Sequence, residues 1–237
     1  MPSGYAVAFL SEGKESGMSK RVAVLLSGCG VYDGSEIHEA VLTLLALGRA
    51  GVDIRCVAPN DDQYHVVDHC AGAPAANERR NMMIEAARLA RGEIKPLGEL
   101  QVDEVDALIM PGGFGAAKNL CDYAIVGRDC TVRSDVRAFV ETLFQAGKPL
   151  GAMCIAPVIV ARVLGDKGIK VTIGSDEKTA ADIEAFGATH VVRQAHECLV
   201  DTEHRIVTTP AYMNASGIAD VARGVDALVQ EVLAMLP

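Results

Sequence analysis

From residue 21 onward, short apolar runs alternate with longer stretches in which apolar positions recur every three or four residues. The runs 22–26, 53–58, 107–110, 150–153 and 206–209 are continuous and rich in β-branched or aliphatic side chains, the pattern of strands buried on both faces. Weaker strand signals fall at 170–173, 190–192 and 198–200. Helical periodicity marks 36–50, 77–91, 134–146, 155–164, 177–186 and a long final segment, 217–236. In the first of these, positions 37, 41, 44, 45 and 48 line one side, which the pattern places against the core. Gly51, Gly92 and Gly147 stop helices, and Pro59 stops a strand. Strands separated by helices in this way predict a single α/β domain: a three-layer sandwich with a mostly parallel sheet and helices on both faces.

Composition narrows the class. Of 237 residues, 50% are hydrophobic and 22% charged, so the chain has ample apolar surface for one large core. A net charge of −9 excludes a phosphate-backbone binder, which needs a basic footprint. No apolar run reaches the roughly 18–20 residues of a membrane-spanning helix. The seven cysteines are odd in number and scattered, with no Cys-x-x-Cys, so neither a zinc ribbon nor a redox pair is written here. Unpaired thiols lead us to expect a cytoplasmic protein. His65, His69 and Cys70 are near neighbours on an irregular stretch, and a solvated loop explains them better than a metal site. Residues 1–19 do not share the strand–helix alternation of the rest of the chain, and they lack the basic start and small-residue cleavage site of a secretory signal. They are expected to be a poorly ordered extension, with Met18 a candidate natural start and 20–237 the folded domain.

In a parallel α/β sheet, chemistry gathers at the carboxyl edge, and three loops there carry unusual residues. Gly151-Ala152-Met153-Cys154-Ile155-Ala156 crosses from a strand into a helix. Small residues around a cysteine on such a turn suit a nucleophile elbow, and the helix dipole is expected to lower the thiol pKa; an inert buried cysteine is the plainer alternative. Met110-Pro111-Gly112-Gly113-Phe114-Gly115 comes directly after another strand, and its consecutive glycines can turn backbone N–H groups toward an oxyanion. Ser27-Gly28-Cys29-Gly30 precedes the first helix, but Gly28, Gly30 and Gly34 have the wrong spacing for a dinucleotide loop. Glu36 and Glu39 stand one turn apart at that helix start. Asp33-Gly34-Ser35-Glu36 can form a capping box, whereas Glu39 lies opposite the apolar stripe, where solvation is the simple account. A carboxylate brought close to Cys154 could instead move protons for it.

Together these loops resemble the ThiJ/PfpI superfamily, of class I glutamine amidotransferase-like, flavodoxin-like fold, and within it the ElbB-type glyoxalases, historically tied to isoprenoid biosynthesis. The matching blocks are residues 27–39, 111–120, 147–151, 154–157 and 207–213, so the resemblance runs from about residue 20 to the C-terminus. It implies that Cys154 is the nucleophile, that Glu39 (with Glu36 the second candidate) is the acid–base group, and that Gly113 and Ile155, beside Gly112, supply oxyanion-binding N–H groups. It also implies a homodimer. The chain departs from the superfamily at the histidine. Proteolytic relatives carry His where Ile155 stands, and others carry one about twenty residues on, where this chain reads Val171-Thr172-Ile173-Gly174. His190, His196 and His204 are the remaining options, each more simply structural.

A thiol protease or amidotransferase needs a base for its thiol and an acid for its leaving nitrogen. A glyoxalase needs less. Cys154 can add to one aldehyde of a 1,2-dicarbonyl and Glu39 can carry the proton between the two carbons. The resemblance thus implies a small dicarbonyl substrate, glyoxal to glycolate, with no cofactor or metal. Deglycation of proteins is a related activity. The competing reading from another class is a redox sensor or chaperone-like protein whose elbow cysteine is oxidised without turnover.

Overall fold

Runs of aliphatic residues with no polar alternation can be satisfied only between two covering layers, and that is where the chain puts them. The computed structural model describes residues 20–237; the expected N-terminal extension, 1–19, lies outside the described residues. In chain order the elements are β1 (Arg21–Leu25), α1 (Ile37–Arg49), β2 (Asp53–Ala58), β3 (Val67–Asp68), β4 (Ala73–Pro74), α2 (Met82–Ala86), β5 (Ile94–Pro96) and β6 (Ala107–Met110). Then come α3 (Tyr123–Val126), α4 (Ser134–Gln145), β7 (Leu150–Met153), α5 (Pro157–Leu164), β8 (Lys170–Val171), α6 (Glu177–Ala185), β9 (Thr189–His190), β10 (Leu199–Asp201), β11 (Ile206–Thr209) and α7 (Ile218–Ala234).

Seven strands form the central sheet in the order β10-β11-β7-β6-β1-β2-β5. Every pairing is parallel except β10 with β11 at one edge. Register aligns Val24 with Ile109, Met110 with Ala152, and Met153 with Thr209, so β6, β7 and β11 end side by side. One core lies on each face of the sheet: Leu25, Leu108, Leu143 and Ile159 belong to one, and Val24, Ile109, Leu228 and Val232 to the other. Each such buried Leu, Ile or Val contributes about 1.5–3 kcal/mol relative to exposure.

Several expectations are corrected. The helix expected over 77–91 is only the short α2. Asn81 caps it, its side chain accepting from Ile84 N, while Arg80 O accepts from Gln63 N and Met82 N donates to Asp61 O. The backbone of 80–82 is therefore committed to the neighbouring 61–63 segment. Residues 94–96, for which no strand was expected, form the edge strand β5, and an edge tolerates its Pro96. The 170–173 and 190–192 signals become β8 and β9, a separate two-stranded parallel pair.

The largest difference lies in α1. Its buried residues are Glu39, Ala40, Thr43, Ala46 and Leu47. Ile37, Val41 and Leu45 of the expected core-facing stripe are instead 41%, 47% and 44% exposed. The helix turns its narrow side inward, where Ala40 and Thr43 allow close approach to the sheet and α7. That rotation carries a carboxylate into the interior.

Candidate active site

Cys154 directly follows β7 and sits on a tight turn before α5. Its φ of 59° lies in the left-handed region, which non-glycine residues adopt where the surroundings force it, often at functional sites. The turn is fixed from both sides: Cys154 N donates to Thr209 O at 3.0 Å, and Ala156 N to Met153 O at 3.0 Å. Gly112, directly past β6, packs against it. A Cβ at Gly112 would lie 2.5 Å from Cys154 Cβ and 2.9 Å from Glu39 Oε2, so only glycine leaves room for the pair. Gly113 has φ 94°, and a side chain there would run into Glu36 N and Gly34 O. The loop before α1 is bound onto this turn through Glu36 N to Gly112 O at 3.0 Å and Gly115 N to Gly34 O at 2.9 Å.

Glu39 is 0% exposed and Cys154 8%. The carboxylate accepts from Gly112 N at 2.8 Å through Oε2 and from Tyr212 N at 3.4 Å through Oε1. The Cys154 thiol lies close enough that each group shifts the other's titration. Burial and the charge of Glu36 push the Glu39 carboxyl up to about 7, against the three hydrogen bonds that favour its ionised form. Burial and the Glu39 charge likewise hold the thiol well above its ordinary value, while N–H groups of Gly113 and Ile155 pull the other way. The expected low-pKa thiolate is thus corrected. α5 starts only at Pro157, three residues after the sulfur, and desolvation and the facing Glu39 carboxylate are the largest influences on the thiol. The resting pair is a thiol beside a carboxylate that titrates near neutrality. Proton transfer from sulfur to Glu39 can accompany attack on a carbonyl.

Glu36 is itself the N-cap of α1, its Oε2 accepting from Glu39 N at 2.7 Å, rather than the far end of a capping box begun by Asp33. Asp33 instead accepts from Val67 N at 2.8 Å. Gly112, Gly113 and Ile155 come together around Cys154 and Glu39. The three histidines left open do not join them: His190 Nε2 accepts from Ile173 N, His204 bonds Asp201 and stacks on Phe144, and His196 is exposed. Sequence reasoning passed over His38, whose Nδ1 meets Tyr212 Oη at 2.6 Å and lies 4.0 Å from Glu36 Oε1. Its position beside Glu39 at the helix start was the available signal. His69 engages backbone, accepting from Tyr32 N at 3.2 Å, and no group of three metal-ligating side chains comes together among the described residues.

The profile of the DJ-1/PfpI family matches residues 20–216. A human protein named glutamine amidotransferase-like class 1 domain-containing protein 3, mitochondrial, is 46% identical over 222 residues, covering 90% of this chain and 82% of its own length. The zebrafish (Danio rerio) ES1 protein, mitochondrial, is 34% identical over 208 residues, covering 81% of this chain and 76% of its own. Among solved structures, an isoprenoid biosynthesis protein with an amidotransferase-like domain from Ehrlichia chaffeensis superposes with a TM-score of 0.85 at 36% identity, covering 92% of this chain and 99% of that one. The cytoplasmic location expected from the unpaired cysteines is overturned by relatives named as mitochondrial. Free thiols report a reducing environment and do not tell one such compartment from another. A parallel sheet between two helical layers, an elbow cysteine at its carboxyl edge and a match over most of the length lead to one conclusion: the chain belongs to the DJ-1/PfpI family, with its class I glutamine amidotransferase-like fold.

Proposed function

We propose that this protein is a glutathione-independent glyoxalase of the ElbB type, converting glyoxal-class 1,2-dicarbonyls to 2-hydroxy acids. The observation that carries the reading is the buried Cys154–Glu39 pair with its ring of backbone donors. Sulfur attacks one aldehyde carbon as its proton passes to Glu39, and that proton returns to the new oxyanion to give a hemithioacetal. Glu39 then removes the carbon-bound hydrogen, forming an enediolate, and delivers it to the adjacent carbon as the hydroxyl proton on the sulfur-bearing carbon passes to the neighbouring oxygen. One carbon is thereby oxidised and its neighbour reduced, leaving a thioester on Cys154. Water hydrolyses the thioester, giving glycolate from glyoxal and restoring the thiol. A general acid–base group works best with a pKa near the working pH, which burial supplies to Glu39. Gly113 and Ile155 N–H groups, aimed at the sulfur, stand beside any oxyanion formed on the attached carbon.

Oxidative sensing runs through a free thiolate, which burial and the Glu39 charge disfavour at Cys154, whereas attack on a carbonyl can pass the thiol proton to Glu39 in the same step. Glutamine hydrolysis needs an acid for ammonia, and none of His190, His196 and His204 joins Cys154 to supply it. A homodimer belongs to the same reading and is checked by sedimentation. The functional test is glycolate production from glyoxal by purified protein in metal-chelated, glutathione-free buffer. Wild type is expected to turn over and Cys154→Ser to be inactive; turnover by Cys154→Ser, or none by wild type, overturns the proposal.

A further inference from the structure

The second donor to Glu39 comes from the loop after β11, and the path of that loop is unusual. Ala211 is fully buried yet holds φ 44°, a left-handed conformation kept only where the surroundings impose it. The turn directs Tyr212 N toward Glu39 Oε1 at 3.4 Å, near the outer limit of a hydrogen bond. It also sends the Tyr212 phenol to His38, where Oη and Nδ1 meet at 2.6 Å and the ring centroids lie 5.8 Å apart. His38 precedes Glu39 on α1, so the first turn of that helix is joined to the β11 loop twice, once by each residue.

Four groups face the Glu39 carboxylate: Gly112 N from the loop after β6, Cys154 from the turn after β7, Tyr212 N from the loop after β11, and Glu36 from the helix cap. Gly112 and Cys154 are held by the sheet. Tyr212 is held by a strained turn and by His38. We propose that His38 and Tyr212 form a clamp that fixes Glu39 against Cys154, making both positioning residues for the proton transfers and not groups that touch substrate. The long Tyr212 N contact supports this, because a shift of a few tenths of an ångström would break it. Proton transfer between fixed partners loses rate steeply when one is displaced. This inference rests on the reading of Cys154 and Glu39 as the reacting pair.

The test uses Tyr212→Phe, His38→Ala and the double variant, all at partly or fully exposed side chains. Three quantities are read: kcat and KM for glyoxal, the melting temperature, and the pH dependence of Cys154 alkylation by iodoacetamide followed on its own peptide. Each single variant is expected to lose about tenfold in kcat with KM unchanged. Glu39 must be ionised to take the thiol proton, and a buried carboxylate that loses a donor is harder to ionise, so the alkylation midpoint should move to higher pH. The double variant should be no worse than the poorer single, as for two parts of one unit. Losses that multiply in the double variant overturn the clamp. So does a Tyr212→Phe midpoint equal to wild type, or a kcat loss that merely tracks a lowered melting temperature. The alkylation profile needs no turnover, so it judges the clamp even if glyoxal proves not to be a substrate.

Discussion

The approach of Gly112 to both reacting groups gives the sharpest steric test. Gly112→Ala introduces one methyl group whose ideal position is 2.5 Å from Cys154 Cβ, 2.9 Å from Glu39 Oε2 and 3.0 Å from Met153 O. Carbon pairs rest at about 3.5–4.0 Å, so relief needs a displacement of about 1 Å between the turn and the reacting groups. A misplacement of that size costs about a hundredfold in rate, or about 2.7 kcal/mol of transition-state stabilisation. Overpacking should also lower stability by about 1–3 kcal/mol, at about 2–4 °C of melting temperature per kcal/mol for a domain of this size. The assay pairs glyoxal kinetics with a thermal melt. Gly98→Ala serves as control, because a Cβ there meets nothing within 4 Å. A Gly112→Ala enzyme with wild-type kcat/KM and an unshifted melt would refute the packing of Cys154 and Glu39 around Gly112.

The same geometry fixes three other outcomes. Glu36→Gln keeps an oxygen to cap Glu39 N but removes the charge that raises the Glu39 carboxyl, so the acid limb of the kcat/KM profile should move to lower pH; an upward or absent shift contradicts that coupling. Glu39→Gln should gain stability relative to wild type as pH rises. The folded-state carboxyl titrates at about 7 against an ordinary 4.5, so the native protein keeps a proton that the unfolded chain has released. Wild-type stability therefore falls between those two values, by about 3 kcal/mol in all, and denaturant melts of both proteins at pH 5 and 8 measure the difference. Gly48→Ala, on the exposed side of α1 with nothing near its Cβ, should stabilise by about 0.4–1 kcal/mol in the same melts; destabilisation would mean that this face is not open.

Continuous aliphatic runs made β1, β6, β7 and β11 readable, and the order of strands and helices announced the parallel sheet. Cys154 and the Gly112-Gly113 turn were legible because a sharp strand-to-helix turn restricts the residue types it accepts. What stayed hidden depended on tertiary context. The face of α1 was inverted: Ile37, Val41 and Leu45 outweigh Ala40 and Thr43 in hydrophobicity, yet close packing on a sheet favours the smaller pair. Glu39 was therefore selected by resemblance, while its burial had to be seen. The thiol was expected to be acidic because a helix comes after it; desolvation and a facing carboxylate have no local sequence signature. Tyr212 is separated from Glu39 by 173 positions, and only the alignment of β11 beside β7 brings them together. β5 lacked any run long enough to register, and α2 begins later than its pattern because residues 80–82 bond to 61–63.

The glyoxalase reading requires that carbon from the substrate become bonded to Cys154 during turnover. Rapid acid quenching of protein mixed with glyoxal, followed by peptide mass spectrometry, reads that bond directly. Wild type should carry one glyoxal-derived unit on the Cys154 peptide in the steady state, and Cys154→Ser should carry none and form no glycolate. Glycolate accumulating while the Cys154 peptide keeps its unmodified mass at every quench time, with the adduct on another cysteine or on none, would contradict the account.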